Sequence, residues 1–291
     1  RGRPSLLDMD AVHRFSKPTL RQPRAILAFE GWNDAADAAS GSINHLVDRL
    51  SLTEPFAAID PEEFYDFQAH RPRVAVDDGG TRSLTWPTTR FYGAQLPGQD
   101  HDLLLVVGDE PSFRWKTYSR HITQVLVEND VELAVVLGAF IGQVSHTVPV
   151  PVVGVATDPE MVSRLGLLTS SYEGPTGIVG VLLEACREVG LPTLSLWAAT
   201  PHYLAANPNP KAMLALSRAA GEALEVDLDL SLLNGLAVDF VDKVNDALET
   251  SSELREYVAE LETSGPEGID PAAGEELLTE IEDFLRDQPD R

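Results

Sequence analysis

Six short runs, apolar at every position but Gly154 and Ser195, at 25–29, 56–59, 103–107, 133–137, 152–155 and 194–197, constrain the fold most. A strand with one face in water alternates polar and apolar side chains. A strand that is apolar throughout is covered on both faces, as in a parallel sheet held between two layers of helices. The intervening segments supply those helices, because apolar residues recur at helical spacing over 35–50, 115–129, 160–165, 177–189 and 211–224. This alternation predicts an α/β fold, a three-layer sandwich around a mostly parallel central sheet. Residues 73–76 and 82–86, joined by Asp77-Asp78-Gly79-Gly80, predict an antiparallel hairpin at one side, and residues 90–96 extend it to a small meander.

In the first strand-turn-helix unit, Phe29-Glu30-Gly31-Trp32-Asn33-Asp34 leads into a helix with an acidic first turn. A phosphate cradle leaves the amides of a helix start free and provides glycines for close backbone approach. Here Asn33 and Asp34 are expected to cap those amides, so the scaffold is one that nucleotide-binding proteins use while its first turn repels phosphate. The whole chain agrees in sign. Lys and Arg total 22 against 46 Asp and Glu, a net charge of −24, which opposes nonspecific attraction to nucleic acid or an anionic membrane. No run approaches the roughly 20 apolar residues that span a bilayer, and the polar start lacks a secretory core. Cys186 is the one cysteine and has no internal disulfide partner. A cytoplasmic protein without cofactor or metal is the expectation.

Charge also divides the chain. Residues 225–291 hold 20 acidic and 4 basic residues, which sets a boundary near Glu225. Residues 1–22, with Pro4 and Pro18, read as a flexible arm. Residues 23–225 read as the α/β domain and 226–262 as a helical extension, in which Leu232-Leu233, Leu236-Ala237, Phe240-Val241, Val244 and Leu248 mark one amphipathic helix and Leu254, Tyr257-Val258 and Leu261 another. Residues 263–291 read as a Gly- and Pro-rich acidic linker and a terminal helix. That helix carries Leu277-Leu278, Ile281 and Phe284-Leu285, and it either docks on its own body or binds a partner.

Ligands of open α/β sheets gather beyond the carboxyl ends of the strands. The exit loops there are 30–34, the stretch around Gly138 and Ser145-His146-Thr147, the run Tyr172-Glu173-Gly174-Pro175-Thr176-Gly177, and Thr200-Pro201-His202-Tyr203. The candidate pocket is therefore Glu30, Gly31, Asn33, Asp34, Gly138, His146, Gly174, Thr176, Gly177 and His202. Thr176 and Gly177 either hold an anion at a helix start or cap and pack that helix. His146 and His202 are either a general base assisted by Asp34 or Glu173, or loop histidines that satisfy backbone groups. Glu30, Asp34 and Asp37 carry the chemistry of a hard-cation site, but capping and the helix dipole explain them more simply. No HExxH, CxxC pair, Walker loop or GxSxG elbow is present.

The segments Phe29-Glu30-Gly31-Trp32-Asn33-Asp34, Asp66-Phe67-Gln68-Ala69-His70-Arg71-Pro72, Glu173-Gly174-Pro175-Thr176-Gly177 and Trp197-Ala198-Ala199-Thr200-Pro201-His202-Tyr203 occur in this order. They resemble bacterial, particularly actinobacterial, members of the proteasome assembly chaperone family of the second type, over about residues 21–262. The resemblance implies a phosphorylase/hydrolase-like α/β domain with a helical C-terminal extension. It also implies kinship with eukaryotic scaffolds that act in pairs during proteasome ring assembly. The family's docking tail, hydrophobic-tyrosine-any, is replaced by Pro289-Asp290-Arg291, so tail docking is not expected. Val148 stands where related chains carry an arginine beside His146.

Phe64, Tyr65, Phe67, Trp86, Phe91 and Tyr92 lie on and around the meander together with Arg71, a composition typical of interface cores. They either fill the join between meander and sheet or cover its edge in a homo-oligomer such as a trimer. The expected function is a noncatalytic assembly or scaffold protein with a protein partner not yet identified. The alternative is a small-molecule hydrolase, phosphorylase-like enzyme or sensor that uses the strand-exit loops.

Overall fold

The structure is a computed structural model and describes residues 11–264 apart from 78, 170, 171, 250 and 251. In chain order the strands are β1 (Val12–Arg14), β2 (Arg24–Glu30), β3 (Ala57–Ile59), β4 (Arg73–Val76), β5 (Arg82–Thr85) and β6 (Arg90–Ala94), followed by β7 (Leu103–Asp109), β8 (Leu133–Gly142), β9 (Val152–Ala156), β10 (Leu168–Thr169) and β11 (Thr193–Pro201). The helices are α1 (Ala38–Arg49), α2 (Trp115–Glu128), α3 (Pro159–Arg164), α4 (Ile178–Glu188), α5 (Pro210–Ala223), α6 (Ser231–Glu249) and α7 (Ser252–Ser264). The main sheet has the order β1-β3-β6-β7-β2-β8-β11-β9-β10. Its four long central strands β7, β2, β8 and β11 run parallel, and antiparallel strands flank them.

Alternate side chains of β2 explain the layers, since successive residues of a strand point to opposite faces. Ala25, Leu27 and Phe29 pack with Tyr118, Ile122 and Leu126 of α2 and Ile178 and Leu182 of α4. Ile26 and Ala28 pack with Ile43 and Leu46 of α1 and Leu216 and Ala220 of α5. The mostly parallel, helix-covered sheet expected from the apolar runs is the one observed.

Three local expectations are corrected. Residues 90–94 do not extend the hairpin. As β6 they join the main sheet between β3 and β7, because Phe91 is wholly buried there. The hairpin β4–β5 is a separate two-stranded sheet whose strand residues are all exposed. The first helix begins at Ala38, since Ala36 and Asp37 adopt left-handed backbone with φ of 54° and 49° and end a 3₁₀ turn. Residues 11–22 are anchored: β1 pairs antiparallel with β3, and Arg21 binds the buried carboxylate of Asp102. The rest of the expected arm, 1–10, and the part of the expected linker and terminal helix from 265 to 291 lie outside the described residues.

Leu233 and Ala237 seat α6 on Leu214 of α5. Further along, Val244 and Leu248 of α6 meet Tyr257, Val258 and Leu261 of α7 over Tyr203 and Leu204. Leu232, Leu236 and Val238 face outward.

Candidate functional site

At the carboxyl end of β2, Gly31–Asp34 forms a turn in which the Asp34 amide donates to the Gly31 carbonyl at 3.1 Å. The Ala139 amide of β8 donates to the Asn33 carbonyl at 2.7 Å and fixes the turn to the sheet. The Asp34 carboxylate then accepts the amides of Ala39 at 2.7 Å and Ser40 at 3.1 Å. It thereby caps α1 across the left-handed pair. Asn33 does not share this role. Its Nδ2 donates instead to Oε1 of Glu110 at 2.9 Å.

Glu110 is the residue that sequence reasoning missed. It follows β7, its amide donates to the Glu30 carbonyl at 2.8 Å, and its Oε1 also accepts the Ile178 amide at 2.8 Å. The first amide of α4, where an α/β protein can hold an anion, is thus occupied by the chain's own carboxylate. Thr176 provides no cap, since the N-terminal cap position of α4 is Gly177 and the capping oxygen comes from Glu110. The available signal was positional: Asp109-Glu110 leaves β7 as Glu30 leaves the adjoining β2. Gly177 is required by this contact, because a Cβ there would lie 1.9 Å from Asn33 Nδ2 and 2.6 Å from Glu110 Oε1.

This edge is acidic and partly buried, with Asp34 covered, Asp109 half-buried and Glu30 exposed. Burial pushes the carboxyls of Glu30, Asp34 and Asp109 above their ordinary values. Neighbouring Asp109, Asp34 and Asp37 add to the shift at Glu30. The Ser40 and Ala39 hydrogen bonds oppose it at Asp34, as the charges of His70, Arg90 and Arg73 do at Asp109.

The two histidines belong to another cluster. His146 is buried. Its amide and Nδ1 both lie 2.8 Å from the Tyr203 hydroxyl, and Nε2 lies 3.1 Å from Asn245 Oδ1. One tautomer satisfies all three contacts: Tyr203 donates to Nδ1 and accepts from the amide, and Nε2–H donates to Asn245. Burial lowers the pKa of His146 and favours that neutral form. Lys211 Nζ donates to the carbonyls of His146 and of Val148, the latter at 2.6 Å, and so holds this loop. His202 Nε2 lies 2.7 Å from the Tyr257 hydroxyl of α7, and burial lowers its pKa too. Both histidines tie the strand-exit loops to α6 and α7.

The remaining candidates are scattered. Gly138 lies within β8 opposite Trp197, whose indole fills the space a side chain would take. Gly174 and Thr176 sit in an exposed loop where the Tyr172 hydroxyl donates to the Pro175 carbonyl at 2.9 Å. Glu30, Gly31, Asn33 and Gly177 do come together around Glu110, and Asp34 follows them in the chain as the cap of α1.

The aromatic set also divides. Phe64, Tyr65 and Phe91 are core residues. Phe64 packs edge-on against Tyr118, and Tyr65 donates to the Asp109 carbonyl at 2.9 Å. Tyr92 is partly buried against the opposite cluster. Arg71 is exposed, and Phe67 meets Trp86 with ring centres 4.8 Å apart. The exposed apolar residues at this end are Trp86 and, on the hairpin, Val74, Val76 and Leu84.

The sequence profile of the PAC2 family matches residues 28–248. The chain belongs to the PAC2 family. A solved PAC2 family protein from Streptomyces avermitilis is 47% identical, with a TM-score of 0.76 over 81% of this chain and 99% of that one. A proteasome-assembly chaperone homologue from Mycobacterium tuberculosis is 40% identical, with a TM-score of 0.74 over 80% of this chain and 99% of that one. An archaeal proteasome activator from Pyrococcus furiosus shares the PAC2 fold at 16% identity, with a TM-score of 0.59 over 81% of this chain and 97% of that one. A search of curated proteins finds no match. Among the described residues, no helix of this PAC2 chain is long and apolar enough to cross a membrane.

Proposed function

We propose that this PAC2 protein is a noncatalytic assembly chaperone or scaffold of the cytoplasm that acts through protein–protein contacts on a proteasome-type particle. The observation that carries this reading is Glu110 Oε1 at the Ile178 amide, which places a fixed negative charge where a phosphate or carboxylate substrate would bind. The enzyme reading also loses its two bases, since His146 and His202 are engaged by Tyr203, Asn245 and Tyr257. Relatives described as a proteasome-assembly chaperone homologue and a proteasome activator supply the class of partner.

Self-association through the hairpin is part of the same proposal. An isolated two-stranded hairpin is marginally stable in water, and Val74, Val76, Leu84 and Trp86 expose apolar surface along this one. A second copy that covers them, as in a trimer, accounts for both features.

The test is to mix the purified protein with unassembled ring subunits of its host's proteasome and follow assembly by native mass spectrometry. The expected result is a complex with incomplete rings and faster ring closure. Absence of both at micromolar concentration, together with turnover of a small ester or nucleoside by the purified chain, overturns the proposal.

A further inference from the structure

A groove of about 560 Å³ runs between α5 and α6 and opens beside β9. Val150, Val152, Leu214, Ala237 and Val241 give it an apolar floor, and Val238 at its edge is exposed. Helix-accepting grooves have this make-up: apolar, elongated and lined by two helices. Lys211 and Arg218 stand along its α5 side. Their hydrogen bonds among the described residues run to neutral oxygens, from Lys211 to the carbonyls of His146 and Val148 and from Arg218 to Asn234 Oδ1.

We propose that residues 275–285 of the same chain form the helix that fills this groove. Three independent observations select that occupant. The first is the position of α7. Near the end of α7, Glu262 accepts a hydrogen bond from the Thr147 hydroxyl, and Thr147 is two residues from Pro149 at the groove wall. The residues from 265 to 277 can span up to roughly 40 Å when extended, so reach is not limiting.

The second observation is apolar pattern. Leu277, Leu278, Ile281, Phe284 and Leu285 fall at the i, i+3, i+4, i+7 spacing that makes one apolar face of a helix.

The third is charge register. Glu275–Leu285 contains five acidic residues and no basic one. Glu275 and Glu282 are seven residues apart, as are Glu276 and Asp283. Lys211 and Arg218 have the same separation on α5, two helical turns or about 10.5 Å. The pairs can therefore meet along facing helices. The rim also holds Glu222 and Asp242, so apolar contact supplies the affinity and the two cations set the register.

Two measurements on the full-length chain test this. Ile281→Asp combined with Phe284→Asp alters only the segment. Hydrogen exchange of amides in 211–218 and 233–241 is expected to be about threefold or more faster in the variant, and equal exchange in both proteins overturns the proposal. The second measurement is oxidative cross-linking of Ala215→Cys with Ile281→Cys, using Arg164→Cys with Ile281→Cys as the control. A crosslink within one chain, absent from the control, supports the docked segment. An equal yield in the control, no crosslink, or crosslinks only between differently tagged copies each overturns it, the last by assigning the groove to a second copy.

Discussion

Oε1 of Glu110 lies 2.8 Å from the backbone nitrogen of Ile178, so a carboxylate at the end of β7 closes the start of α4. The same oxygen accepts Asn33 Nδ2 at 2.9 Å. One side chain thus joins the loops after β2 and β7 to the helix before β11. An open α/β sheet leaves this junction as a crevice for ligands, whereas here an internal charge completes it.

Replacement of Glu110 by Gln keeps the shape and removes the charge at the helix start. A loss of about 1 kcal/mol is expected, rising to about 2–3 kcal/mol for Glu110→Ala, which leaves the Ile178 amide and Asn33 without their acceptor. Urea unfolding at neutral pH, with the m-value unchanged, measures both. Full stability in the alanine variant removes Glu110 from the account.

Gly177→Ala tests the closeness of the same junction. The added methyl would meet Asn33 Nδ2 at 1.9 Å and Glu110 Oε1 at 2.6 Å, and neither can retreat without giving up a hydrogen bond. A cost of about 2–3 kcal/mol is expected. Asn33→Ala in the same chain relieves the closer of the two contacts, so the double variant should be more stable than the sum of the two single effects predicts. Strict additivity in the cycle would contradict this geometry.

Asp102 gives the opposite pH response to the acidic edge. Burial disfavours its charge, but the Arg21 guanidinium and the amides of Leu96 and Arg21 outweigh burial and hold its pKa below the ordinary 3.8. Its stabilisation is therefore present above pH 3.8 and is lost as pH falls through the lowered value. Asp102→Asn is expected to cost about 2 kcal/mol at pH 7, tempered by the exposure of Arg21, with the gap to the parent closing as pH falls below 3.8 and through the lowered value. Thermal melts across that range decide it.

The layers of the fold were legible because burial on both faces leaves a direct trace in composition: 25–29, 103–107 and 133–137 are apolar at every position. The fate of residues 90–96 was not legible, since Arg90 and Tyr92 alternate with Phe91 as a half-exposed hairpin strand would. Asp34 as a cap could be read from the loop preceding its helix. Glu110 could not, because it caps a helix 68 residues away, and no local pattern encodes that proximity. The histidines misled for the same reason. Their partners Asn245 and Tyr257 come from the helical extension, whose docking position has no signature near residues 146 or 202.

The acidic edge responds to pH in the opposite sense to Asp102. Glu30, Asp34 and Asp109 have raised pKa values, so the fold binds their protons more tightly than the unfolded chain does. Their contribution is fullest below the ordinary values of 4.5 and 3.8 and declines as pH rises through the raised ones. Asp109→Asn removes one such charge. It should be more stable than the parent by about 0.5–1 kcal/mol at pH 7 and show no gain at pH 3.5. Unfolding midpoints at the two pH values provide the comparison, and a gain of equal size at both would show that electrostatics is not the cause.

The hairpin separates association from folding. Val76 and Leu84 are exposed, and β4–β5 pairs only with itself, so Val76→Lys with Leu84→Lys should change the stability of an isolated subunit by no more than about 0.5 kcal/mol. If a second copy covers that surface, two buried charges without partners cost several kcal/mol per interface, enough to shift assembly to monomer at micromolar concentration. Sedimentation velocity reads this directly, with the parent expected as an oligomer and the double variant as a monomer. A monomeric parent, or a variant that still assembles, rules out the hairpin as the contact.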